Sequence, residues 1–557
     1  MTDKCIQIKE NTMKVKTISS LEKIFPDREP METENENVIF GNEKFNFQLA
    51  IYNESMEVSK CNKIKISGEL AKYIAVRTVE LVPAAYCPAE TDDYYISSKP
   101  GLYPDLLKPI GKLGITISAK QWKSVWITVY TPDKLEPGDY TIFFEIINEN
   151  GIKTAEISYR LQVDSLLLPK ADLRVTNWMH YDCICEKHGV EPFGDEFYSI
   201  FEEYLKAYIE SGNNMLLIPL FTPPLDTAIG EERKTTQLIT VYKENSGYYF
   251  SFARLKKFIK FVLDRGVEYL EFSHLFTQWG GEYCPKVMAI VNGKEEKIFG
   301  WDNRSDCEEY KAFLDCFLPE FSKMIYQENL TDKCYIHLTD EPKRNNLKNY
   351  IVYREMVKKH LPNFPIMDAL SDYDFYEKGL VDIAVVSTPN YTKFYDNGAK
   401  HLFAYYCCWP SNGYYSNRFL NMPLQRERII GFQLYKNGAE GFLHWGFNFY
   451  NTAFSLETVN PYGDTTAGGF FPAGDSFIVY PSENKVMMTI RAEVMNEAMQ
   501  DYRLCKLAET YIGETEVQKI LSNFGISGFN EYPRNIQKHM KIRQELMKSI
   551  TLRSLGR

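Results

Sequence analysis

The chain has 557 residues, more than one hydrophobic core usually supports, so two or more domains are expected. Its 64 basic and 74 acidic residues give a mildly acidic balance, which argues against nucleic acid or a membrane surface as the main partner. Aromatic residues make up 14% of the chain, a share that suits packed cores and also sugar rings, whose C–H faces stack on aromatic faces.

Residues 1–20 carry Lys and Glu throughout and no apolar leader, which predicts a cytoplasmic protein without a signal peptide. No window reaches about 18 uninterrupted apolar residues, so no membrane span is expected. The 12 cysteines form no small-domain disulfide framework and read as reduced thiols. Up to residue 168 the chain reads as short strands and turns. Phe45 to Tyr52 and Val125 to Tyr130 alternate cleanly, and so do Tyr140 to Ile146 and Thr154 to Leu161, which follow the turns Pro137-Gly138-Asp139 and Asn148 to Gly151. This spacing predicts an N-terminal antiparallel β-sandwich over 1–168, with no cluster of catalytic residue types.

After Leu166-Leu167-Leu168-Pro169 the rhythm changes to strand and helix in alternation. Strands are expected at 174–181, 215–220, 269–272, 334–339, 365–370, 383–387, 402–406 and 441–445. Helices are expected at 195–210, 252–264, 307–328, 347–360, 426–436 and 484–509, and hairpins at Asn245-Ser246-Gly247 and Asn292-Gly293. Eight strand–helix units predict a (β/α)8 TIM barrel over 169–512, so the fold class is multidomain α/β. Residues 513–557 add a C-terminal helical tail.

The fourth of these strands ends abruptly in Thr339-Asp340-Glu341-Pro342. Two adjacent carboxylates at the end of a buried strand are costly. Pro342 stops the strand and predicts an extended Glu341. The same residues also suit a helix start. Their place at a strand-to-helix junction puts them on the face where this fold carries its active sites. The ends of other strands supply His180, His274, Gln278, Trp279, Asn390, Tyr391, Trp409, Trp445, Asn448 and Tyr450. That is a ring of aromatic and hydrogen-bonding side chains around two acids, and it reads as a sugar pocket. No Gly-rich loop cradles phosphate. The run His180 to His188 holds four possible ligands, but its spacing matches no zinc finger, so neither metal nor cofactor is expected.

Most glycosidases place their two carboxylates on different elements, about 5–10 Å apart. An adjacent pair suits the exception, in which the substrate's own 2-acetamido group attacks the anomeric carbon. A conventional glycosidase with Asp182 or Asp368 as partner acid, and a barrel that binds glycans without cleaving them, remain open on these residues.

The β-sandwich, the barrel with Thr339-Asp340-Glu341-Pro342 ending its fourth strand, Trp445-Gly446, Gly474-Asp475, Tyr480-Pro481 and Arg491-Ala492-Glu493 together resemble glycoside hydrolase family 123. The resemblance implies an exo-acting, retaining β-N-acetylgalactosaminidase that removes terminal β-linked N-acetylgalactosamine from glycolipid or glycoprotein glycans. It implies Asp340 as stabiliser of the acetamido group and Glu341 as acid and base. Tyr391 is then expected on the acetamido carbonyl, by similarity to other acetamido-assisted hydrolases. Preference for the gluco epimer is the alternative.

Overall fold

The computed structural model describes residues 13–132, 135–170, 172–245 and 247–554. Two five-stranded sheets open the chain. The first runs in the order Met13–Ser19, Lys44–Asn53, Trp122–Tyr130, Ile74–Ala84 and Gly101–Pro109, with every neighbour antiparallel. The second runs Glu36–Gly41, Lys153–Leu167, Gly138–Ile147, Ser59–Ser67 and Ile115–Ile117. Here a purely antiparallel sandwich is corrected: Glu36–Gly41 lies parallel to Lys153–Leu167, with Val38 opposite Gln162. Turn signals report only hairpin neighbours, and these two strands meet across more than a hundred residues, as a parallel pair's long connection allows. Along Lys44–Asn53, Phe47, Leu49 and Ile51 enter the core shared by the two sheets. Asn46 and Gln48 point to the other face.

Eight parallel strands follow: Arg174–Asn177, Met215–Ile218, Tyr269–Phe272, Cys334–Ile336, Met367–Leu370, Ile383–Ser387, Leu402–Tyr405 and Gly441–His444. The first also pairs with the eighth, Arg174 opposite Gly441 and Asn177 opposite His444. The ring is nearly closed. Between the fourth and fifth strands the link is one parallel bridge, Ile336 to Ile366. Met215, Leu217, Tyr335, Met367, Val385, Phe403 and Leu443 fill the interior.

The helices Asp195–Glu210 and Leu347–His360 have the bounds their apolar periodicity sets. The last barrel helix begins later than expected, at Ile490, because Val479–Ser482 and Lys485–Met488 form a hairpin first. Thr489 caps it by accepting from Ala492 N–H at 3.1 Å. The two loop hairpins, Thr240–Glu244 with Gly247–Ser251 and Val287–Val291 with Lys294–Phe299, merge into one four-stranded sheet through parallel pairing of Val241 with Ala289.

The helix Ile490–Ile512 carries buried Glu493, Glu497 and Asp501 at four-residue spacing, hence on one face. Glu493 pairs with Lys44 and Arg77 at 2.7 Å each. Glu497 accepts from Ser20 Oγ at 2.9 Å and Arg428 at 2.7 Å. Asp501 takes Arg428, His539 and Arg543, and Arg543 also grips Glu43. His539 and Arg543 lie on the last helix, Ile536–Ser554. This row of carboxylates therefore ties the barrel to the first sheet and to the C-terminal tail. Among the described residues no helix is long and apolar enough to cross a membrane.

Candidate active site

The ladder of the fourth strand stops at Ile336, where alternation predicts it to continue to Thr339. Beyond it, side chains and the loop after the third strand take over. Leu338 N–H donates to Asp368 at 3.0 Å, so a carboxylate replaces the missing backbone partner. Leu338 O accepts from Phe276 N at 2.9 Å, Thr339 Oγ1 donates to Thr277 O at 2.6 Å, and Asp340 O accepts from Trp279 N at 2.8 Å. Gly280, at φ +108°, permits this approach, because a Cβ there would stand 2.3 Å from Asn346 Cγ.

Glu341 does not take the extended form expected ahead of Pro342. Its φ is +42°, in the left-handed region. Such a conformation costs a residue with a Cβ on the order of 1–3 kcal/mol and persists only where neighbours over-determine it. Two contacts do so here: Trp279 N–H on Asp340 O, and the Tyr405 hydroxyl on Glu341 Oε1 at 2.6 Å. Tyr405 closes the seventh strand and reaches the rim from inside the barrel. Burial and the charge of Glu341 hold its phenol well above the ordinary pKa, so it stays a donor.

Three neighbouring strands place a charged layer beside this pair. His337 Nε2 meets Glu271 Oε1 at 2.5 Å, and its Nδ1 meets Asp368 Oδ1 at 3.2 Å. Glu271 also accepts from Thr176 and from Trp178 Nε1, both at 2.6 Å, and Asp368 accepts from Tyr350 at 2.5 Å. Burial opposes a charged imidazole, but the bonds to Asp368 and Glu271 outweigh it and push the His337 pKa up to about 9. Burial first, and then the charge of Glu341, push Asp340 up to about 8, while the His337 cation pulls the other way. Near neutrality Asp340 therefore keeps a proton beside Glu341.

His274, His337 and Asp368 bring ligand atoms within 4.8 Å of one another. An imidazolium engaged by carboxylates at both nitrogens offers a metal no lone pair, so this set does not fit an ion. His274 itself stacks on His337 at 4.4 Å, and among the described residues both its buried nitrogens lack a partner.

Several other expected members are buried and hydrogen-bonded within the protein. Tyr391 is 1% exposed, packs on Phe529 at 4.9 Å and points its hydroxyl to Asn437 O at 3.4 Å, in the helical layer outside the barrel. Tyr450 is buried and bonds Val479 O at 3.0 Å. His180 is bonded through both nitrogens, to Arg233 at 3.1 Å and Trp445 O at 2.9 Å, and burial followed by the Arg233 charge lowers its pKa to about 3. Asn448 clasps the backbone of His180, and Gln278 clasps Asp226 N and Thr227 O. These four build the rim. Trp409, 47% exposed, and the half-buried Asn390 and Trp445 stay open to solvent. Trp445 is aimed by its Nε1–H, which donates to Asp475 at 3.0 Å. Gly446 makes room for that turn, since a Cβ there would lie 2.5 Å from Ser476 O.

Asp182 is locked to Arg233 by two bonds of 2.6 Å, and Asp368 holds His337, Tyr350 and Leu338 N. Neither is free to partner the pair. Sequence reasoning missed Tyr405 and the Glu271–His337 contact. Tyr405 and Glu271 are inward positions of barrel strands, and strand alternation puts Phe403 and Tyr405 on the same inner face.

A family model described as glycoside hydrolase 123, catalytic domain, matches residues 178–508, more than half of the chain. Among solved structures, a family 123 glycoside hydrolase from Clostridium perfringens, studied for glycolipid glycan hydrolysis, matches with a TM-score of 0.75 at 16% identity, over 98% of this chain and 100% of that chain. That likeness carries the fold. A β-glucuronidase from Parabacteroides merdae matches at a TM-score of 0.29 and 10% identity, over 88% of this chain and 52% of that chain. No curated protein matches.

Proposed function

Because the chain belongs to glycoside hydrolase family 123, we propose that it removes terminal β-linked N-acetylgalactosamine from glycans, with retention and with help from the substrate's acetamido group. The observation that carries this reading is the adjacent pair Asp340-Glu341 on the barrel rim, with Asp182 and Asp368 both committed elsewhere. A two-carboxylate mechanism needs a second, separate acid.

In the proposed reaction the acetamido oxygen attacks the anomeric carbon, and the bond to the leaving oxygen breaks. Glu341 gives that oxygen its proton, and an oxazolinium ion forms. Asp340 accepts the acetamido N–H and stabilises the positive charge. Glu341 then deprotonates a water, which attacks the anomeric carbon and reopens the ring with net retention. Tyr405 keeps Glu341 oriented through its 2.6 Å bond. In the unliganded protein burial and the neighbouring Glu341 favour a protonated Asp340. An acetamido N–H donated to Asp340 favours its carboxylate and so moves the proton toward Glu341. Substrate binding thereby arms the acid. The glycolipid glycans hydrolysed by the Clostridium perfringens enzyme are one substrate class to test.

Chromogenic β-N-acetylgalactosaminide, β-N-acetylglucosaminide and β-galactoside separate the readings. Turnover of the first well above the others is expected. Comparable cleavage of the plain galactoside would sink acetamido assistance, and faster cleavage of the gluco epimer would move the specificity. Failure to cleave any of them would leave a glycan-binding barrel.

A further inference from the structure

Besides Glu341, four residues at the rim adopt left-handed backbone without being glycine: Asp226 at φ +42°, Trp279 at +59°, Phe454 at +63° and Ser455 at +56°. For bulky Trp and Phe this is a genuine outlier. Each such residue costs on the order of 1–3 kcal/mol. They come from three loops, those after the second, third and eighth strands, and hydrogen bonds join them. Gln278 Oε1 accepts from Asp226 N at 2.6 Å, while its Nε2 donates to Thr227 O at 2.9 Å. Asp226 Oδ2 accepts from Phe454 N at 2.9 Å, its O accepts from Ser455 Oγ at 2.7 Å, and Ala228 N donates to Phe454 O at 3.1 Å.

This clasp does not bury its aromatic residues. Trp279 and Phe454 stand edge to face at 6.0 Å and 77°, and remain 42% and 40% exposed. Strain spent on keeping two large rings in water has no folding benefit. The rings are also tied to the carboxylate pair, since Trp279 N–H bonds the carbonyl of Asp340, one peptide away from Glu341.

We propose that Trp279 and Phe454 form the platform for the aglycone-side sugar, the hexopyranose whose oxygen leaves when the terminal residue is cut. The inference rests on the function proposed above and names where the rest of the substrate goes. The leaving oxygen must lie against Glu341, so the next ring lies on the protein just past Asp340, where Trp279 is anchored. An edge-to-face pair offers one flat indole face, which matches the C–H face of a single pyranose. Asp226, Gln278 and Ser455 hold the platform in place without touching the sugar.

The test compares a β-N-acetylgalactosaminyl-(1→3)-galactoside, methyl β-N-acetylgalactosaminide and the octyl glycoside, with melting curves to check folding. Trp279→Ala should lower kcat/KM on the disaccharide about ten-fold more than on the methyl glycoside, the scale of one stacking contact, mainly through KM. Trp279→Tyr, which keeps a ring, should recover most of that loss. Equal losses on disaccharide and methyl glycoside overturn the platform. A loss confined to the octyl glycoside overturns the sugar assignment in favour of a lipid chain. Calorimetric titration of the intact disaccharide and of free N-acetylgalactosamine into Glu341→Gln gives a readout without turnover. A disaccharide advantage that Trp279→Ala abolishes supports the platform even where the parent protein cleaves no β-hexosaminide, in which case only the catalytic reading fails. No disaccharide advantage in that titration overturns the platform.

Discussion

Asp340 and Glu341 form a titrating unit before they form a mechanism. With Asp340 raised to about 8 by burial and by its neighbour's charge, Asp340 holds its proton below that pH and loses it above. The kcat/KM profile should therefore carry an alkaline limb near pH 8, read by initial rates across pH, because the doubly charged pair has no acid to give. His337 tunes this limb. Its cation pulls the Asp340 pKa down, so His337→Gln should move the limb to higher pH. The same change leaves Glu271 and Asp368 buried without their counter-charge and should cost about 3–5 kcal/mol in denaturant unfolding. Since the folded His337 pKa of about 9 exceeds the free value near 6.5, its contribution is complete below pH ~6.5 and fades as pH rises through ~9. The stability gap between parent and variant should shrink across that window.

At the scale of the element, the loop after the third strand carries as much of the site as the fourth strand does. Gly280 is its weak point. Gly280→Ala must relieve a contact of 2.3 Å at a φ of +108° and should cost at least ~2 kcal/mol, with activity falling as the Trp279–Asp340 bond shifts. Paired melting and rate measurements check this; an alanine tolerated in both would show that the loop has slack. Elements were readable wherever one periodicity ruled. Asp195–Glu210 shows an unbroken apolar face, and counting strands put Asp340-Glu341 on the rim. Orientation was not readable. Tyr391 and Tyr405 both follow or end barrel strands, yet one faces the helices and the other faces Glu341, because position relative to the last inward residue decides. Pairings between distant segments, such as Glu36–Gly41 with Lys153–Leu167 or Val241 with Ala289, leave no local pattern at all.

At the scale of the molecule, one acidic helix face holds three parts together. Glu493, Glu497 and Asp501 each meet a cation or donor from outside the helix, and Arg543 reaches from the C-terminal tail to both Asp501 and Glu43. Arg543→Met should cost about 3 kcal/mol, since Glu43 and Asp501 stay buried with fewer counter-charges. Thermal unfolding reads the loss, and an unchanged midpoint would mean that the tail rides on the barrel without bracing it.

The seam between the fourth and fifth strands makes the barrel a clip rather than a hoop. One bridge and the Asp368 carboxylate close it, while the sixth and seventh strands are laddered on both sides. Local opening follows the fewest bonds. Deuterium should enter the amides of Ile336 and Leu338 sooner than those of Val385 and Ala404, and Asp368→Asn should hasten it. When this molecule breathes, it parts along the line that carries its two carboxylates.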